Sequence, residues 1–175
     1  RVYQGEKIGV FTSEVQFNSK HDVQFANTVL EWFTKGGFDR LIIIDGLVKP
    51  DKKREHGDLF GVGSISTARD MLTKAGVEPI QQGVVAGICG YLLSEGERLG
   101  LDVTAILAEC SPMYPDARAA ALAIEAVSEL IEIEIPLSSL IEDARAIENS
   151  VQEIFENAQN ALPAPEDTSL DPSFG

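Results

Sequence analysis

No lysine follows Lys74, and residues 81–175 carry only Arg98, Arg118 and Arg145 against 17 acidic side chains. Residues 1–80, by contrast, hold 11 acidic and 11 basic groups, so the formal charge of −14 belongs to the second half. A half this acidic repels phosphate backbones and excludes nucleic acid as a partner. It suits solubility, or electrostatic steering toward a basic protein. Cysteine and histidine are scarce too. Cys89 and Cys110 have no CxxC spacing, and with His21 and His56 alone no zinc constellation can be assembled. Two reduced core thiols in a cytoplasmic protein are the expectation. No apolar run is long enough to span a bilayer, so no membrane is expected, and no secretory pattern opens the chain. Arg1 stands first, not Met, which leads to the expectation that a natural N-terminal part is missing. Aromatics are 7% of the 175 residues, so aliphatic and alanine contacts must fill the core.

What is present alternates strand-like and helix-like patterns. KIGVFTSEV (7–15) reads as a strand, and DVQFANTVLEWFTKGG (22–37) as a helix, with Val23, Ala26, Val29, Leu30 and Phe33 on one face and Gly36–Gly37 as its stop. DRLIIIDGL (39–47) is a continuous aliphatic run of the kind found in parallel strands covered on both faces. VKPDKKREHGD (48–58) is a polar surface loop, LFGVGS (59–64) a short strand, and STARDMLTKAG (66–76) a helix. A turn and helix over 83–100, a strand over 102–110 and an alanine-rich helix over 116–131 follow. This order predicts an α/β domain over residues 1–162, with a mainly parallel sheet and helices on both faces.

The segment GVVAGICG places Gly83, Gly87 and Gly90 where an apolar run gives way to a helix. A phosphate loop ends in GK[ST], but Tyr91-Leu92 follow Gly90. A dinucleotide fingerprint is G-x-G-x-x-G, whereas the spacing here is G-x-x-x-G-x-x-G, and Asp102 comes only 12 residues after Gly90. Bare amides at a helix start can still hold an anion, yet no cationic side chain lies between Lys74 and Arg98. Close packing of backbones is the better account of the three glycines, and no cofactor is expected.

Nucleophile signatures are equally thin. G-x-S-x-G is absent, and Ser64 in VGSIS lacks the second glycine. Glu14, Asp45 and Glu109 fall near the C-terminal ends of three expected parallel strands, where α/β active sites form. They could bind a cation or do acid–base work, or they could cap helices and anchor loops. Asp116 is placed to suit the dipole of the helix that follows it.

Ser139 and Glu142 form a capping box for a last helix, about 140–161. Along it Leu140, Ala144, Ile147, Val151, Ile154, Ala158 and Ala161 alternate spacings of four and three, a heptad seam fit for a partner helix or for this domain's own core. The tail 163–175 is acidic and contains proline, and is expected to be flexible.

These residues together resemble the proteasome assembly chaperone family, particularly its archaeal members. The resemblance rests on Gly83, Gly87 and Gly90 before a helix, a strand ending at Glu109, the helix start Pro115, Asp116, Ala119 and Ala120, and the last helix with Leu140, Ala144, Ile147 and Glu148. It covers about 83–150 well and 7–47 more loosely. It implies a three-layer α/β fold similar to the nucleoside phosphorylases, homo-oligomers, and a non-enzymatic role binding proteasome α-subunits during assembly. Some such sequences carry an ATP-grasp-like label, which no nucleotide motif here supports. Tails that dock on proteasome α-rings end in a hydrophobic residue, a tyrosine and any last residue. Here Phe174 holds the aromatic place and Gly175 the free carboxylate, while Ser173 departs from the pattern. The alternative function is an enzyme acting on a small molecule through Glu14, Asp45 or Glu109.

Overall fold

The computed structural model describes residues 8–13, 18–48, 57–110 and 116–138, the backbone of 2–4, and residues 141, 142, 145, 146, 149, 150, 153 and 154. In chain order the elements are β1 (Val2–Gln4), β2 (Gly9–Phe11), α1 (Asp22–Lys35), β3 (Leu41–Val48), β4 (Leu59–Gly63), α2 (Ser66–Lys74), β5 (Glu78–Pro79), α3 (Gly87–Leu99), β6 (Val103–Cys110) and α4 (Ala117–Ile131). Four strands form a sheet in the order β3-β6-β4-β5. The β3/β6 and β4/β5 pairings are parallel, and β4 runs antiparallel to β6.

Strand β6 organises the layers. Successive side chains of a strand point to opposite faces, and here both faces are buried from Val103 to Glu109. Val103, Ala105 and Leu107 meet Ala26, Val29 and Leu30 of α1 and Cys89, Leu92 and Leu93 of α3. Ile106 and Ala108 meet Leu72 of α2 and the stripe Ala119, Ala123, Ala126 and Leu130 of α4. The result is a three-layer α/β sandwich. At its base Arg40 Nε and Nη2 donate to Asp102 Oδ2 at 3.0 and 2.8 Å, clamping the start of β3 to the start of β6.

Two expectations need correction. Among the described residues of the run 7–15, the strand is Gly9–Phe11, and it pairs antiparallel with β1 in a two-stranded ribbon instead of joining the parallel sheet. The cause is aromatic. Phe11 packs on Phe25 and Trp32 of α1, with ring centroids 5.4 and 5.8 Å apart, and a side chain at Gly9 would strike Phe38 and Trp32. Strand β3, expected to be covered on both faces, is instead an edge strand of the four-stranded sheet. Ile44 and Val48 are therefore about half exposed despite their aliphatic character.

Candidate functional site

A cavity of about 550 Å³ opens at the C-terminal end of β3 and β6, on the face that α1 and α3 cover. Its floor follows from strand register. Asp45 pairs with Leu107, Leu107 with Phe60, and Phe60 with Glu78, and all four line the cavity. Paired positions share a face of the sheet, so one row runs carboxylate, aliphatic, aromatic, carboxylate from one edge of the sheet to the other. The loop 80–86 forms the opposite wall. It belongs to a stretch without any charged residue between Glu78 and Glu95. Val84 within it is 91% exposed.

Asp45 is exposed, and its Oδ1 accepts from the Gly46 amide at 2.8 Å. Burial, and secondarily the Asp45 charge, push the Cys89 thiol up to about 12. A thiol held neutral in this way is a poor nucleophile, so Cys89 belongs to the core. Glu109, although on the same sheet face as Asp45, is buried and does not line the cavity. Glu14 lies outside the described residues. The three carboxylates of the sequence reading are thus not brought together at one point: Asp45 reaches the cavity and Glu109 does not. Among the described residues no group of three His, Cys, Asp or Glu side chains could hold a metal ion.

Each glycine of the turn stands in a different setting. Gly83 lines the cavity. Gly87 begins α3 at φ 66°, a conformation that side chains with a Cβ rarely take. A Cβ at Gly90 would run into the Val85 carbonyl oxygen and sit 2.8 Å from its carbon, because the loop folds back over the first turn of the helix. The start of α3 is an unsuitable anion site, since the Asp22 carboxylate lies 3.7 Å from where a Gly87 Cβ would stand. Another tight approach, at Gly96, escapes sequence reasoning. A Cβ there would meet Val103 at 2.6 Å and Ser64 at 3.2 Å, so this glycine lets α3 lie against β6.

The remaining candidates have structural settings or fall outside the described region. Ser64 Oγ donates to Leu101 O at 2.7 Å and accepts from Val103 N at 2.9 Å, tying the end of β4 to the entry of β6. Asp102 is engaged by Arg40 and is not free for a ribose. Asp116 caps α4, its Oδ1 accepting from Ala119 N at 3.1 Å. Within the seam, Leu140, Ala144, Ile147, Val151 and Ala158 lie outside the described residues. Ile154 is helical and 66% exposed, and Glu142 is helical and exposed. Ser139, the tail and its last residues Phe174 and Gly175 are likewise outside. No helix among the described residues is long and apolar enough to cross a membrane.

Solved structures share this architecture. Pyrococcus furiosus PbaA, an archaeal homolog of proteasome-assembly chaperone, superposes with a TM-score of 0.81 at 22% identity, over 92% of this chain and 67% of that one. Pyrococcus furiosus PbaB, an archaeal proteasome activator, gives 0.67 at 22% identity, over 83% and 62%. A proteasome-assembly chaperone homologue of Mycobacterium tuberculosis gives 0.58 at 18% identity, over 79% and 57%. An uncharacterized protein of Methanocaldococcus jannaschii is 35% identical over 80 residues, 46% of this chain and 34% of that protein. The chain thus spans about two thirds or less of the length of these relatives. A PAC2 family profile matches residues 2–155, nearly the whole chain, and the chain therefore belongs to the PAC2 family.

Proposed function

We propose that this protein is a non-enzymatic proteasome assembly chaperone or scaffold that binds proteasome α-subunits and forms homo-oligomers. The observation that carries this reading is the superposition on Pyrococcus furiosus PbaA across 92% of the chain. The chemistry of the second half supports it: 17 acidic groups against three arginines give a surface that attracts a basic protein and repels polyanions. Of the strand-end carboxylates proposed for the enzymatic alternative, Asp45 stands in the cavity without Glu109, and the nearest thiol is held protonated. The oligomer contact is assigned to the heptad seam of the last helix, whose member Ile154 is apolar and exposed. Docking is assigned in part to the tail, with Phe174 as its aromatic anchor and Gly175 beside it.

Affinity capture from the source lysate followed by mass spectrometry tests this reading; recovery of proteasome α-subunits is expected, and recovery of self-copies alone overturns it. Deleting residues 173–175 should weaken α-subunit binding several-fold and leave the melting temperature unchanged, whereas unaltered affinity moves the interface to the folded body. The double change Ile147→Glu with Ile154→Glu should dissolve the oligomer while the circular dichroism spectrum persists. Unfolding of that variant instead assigns the seam to the core.

A further inference from the structure

We propose that the cavity is a binding site for a linear organic dication, two ammonium groups joined by an uninterrupted aliphatic stem, as in the α,ω-diamines. The row Asp45–Leu107–Phe60–Glu78 is the basis. Its two carboxylates stand on the two edge strands, β3 and β5, three strand spacings apart, or about 14 Å between backbones. Between them the floor is apolar. Leu107 is buried, and Phe60, half-buried, lines the cavity beside it, so methylene groups there would lie along apolar side chains. The opposite wall contributes Ile80, Val85 and uncharged amides. Among the described residues lining the cavity there is no lysine or arginine, so this floor presents negative charge at both ends and none in the middle.

That pattern discriminates among ligand classes. An anion meets two carboxylates, and the neighbouring helix start already faces Asp22. A divalent metal ion cannot bridge groups about 14 Å apart. A neutral apolar ligand would strip water from the carboxylates without replacing it. A monocation satisfies one end only. A chain with a cation at each end satisfies both while its stem covers Leu107 and Phe60. The volume of about 550 Å³ lies within the range of about 300–1,000 Å³ usual for small-molecule sites. The site is independent of proteasome docking, so failure of either proposal leaves the other standing.

Titration calorimetry of the full chain with octamethylenediamine at physiological salt is the test. Saturable one-site binding is expected. Asp45→Asn and Glu78→Gln should each weaken it by about tenfold, and the pair together should abolish it. Octylamine, with one ammonium, and putrescine, with a shorter stem, should bind at least about tenfold more weakly than octamethylenediamine. Both substituted side chains are exposed, and the Asn oxygen can still accept from the Gly46 amide, so the variants should melt like the parent. Equal diamine binding by the double variant and the parent would show a dication merely neutralising a chain of net charge −14, and overturns the proposal. Equal affinity for putrescine and octamethylenediamine, or no saturable binding, overturns it as well.

Discussion

The two faces of β6 are packed on opposite principles. Toward α4 the contact is a stripe of small side chains, Ala119, Ala123 and Ala126 closed by Leu130, which brings the helix close to Ile106 and Ala108. Toward α1 and α3 the contact is built from larger groups, Val29, Leu30, Leu92 and Leu93, and it stops short of the strand ends, where the cavity opens. On the alanine face Ala123 is fully buried. On the other face β6 is buried as far as Glu109, yet Leu107 also lines the cavity. One strand therefore serves a rigid side and a side with room for a ligand, and what differs is side-chain size, not polarity.

The largest effect should come from emptying the well-packed part of the α1/α3 face. Leu92→Ala, at a 3% exposed position, should destabilise the fold by about 2–5 kcal/mol, read from denaturant unfolding. Next come additions to filled space. Ala123→Leu on the α4 face should cost about 1–3 kcal/mol, and Gly90→Val a similar amount because its side chain meets the Val85 carbonyl. A stable Ala123→Leu would break the comparison, showing that the alanine face is not close-packed.

An alkaline pH series sharpens the comparison from another side. The Cys89 thiol lies at about 12 in the fold against 9.0 unfolded, so above pH 9 the unfolded chain loses a proton that the folded one keeps. This contribution to stability is complete below pH 9 and is lost as pH rises toward 12, with a limiting slope of about 1.4 kcal/mol per pH unit. Cys89→Ala should flatten that limb in a plot of unfolding free energy against pH. The smallest effect is expected at the cavity wall. Ala86→Leu makes the same addition as Ala123→Leu, but where space is open, and should shift stability by no more than about 0.5 kcal/mol.

Several features were legible in the residues because their causes are local. The helical face Ala26, Val29, Leu30 and Phe33 is buried as its spacing predicts. Asp116 could be assigned to a helix start because capping requires only a short side chain and the next turn of backbone. The Asp102 spacing already argued against a ribose contact, though its partner Arg40, 62 positions earlier, was invisible to any window along the chain. Gly96 gave no signal at all, since nothing in a helical pattern tells which residue will face Val103.

The sequence by itself determined the alternation of strands and helices, the acidic second half and the lack of a Walker or dinucleotide motif at the glycine turn, because periodicity, charge and motif chemistry act over a few residues. Only the tertiary structure decided the strand order. LIIIDGLV and VTAILAEC are equally strand-like, yet the second is the sheet's buried centre and the first its half-exposed edge. It also decided that Asp45, Leu107, Phe60 and Glu78 form one row, although they come from four separate strands. Register between strands is fixed by long-range pairing and by the helices packed above them, and no single stretch of chain encodes it.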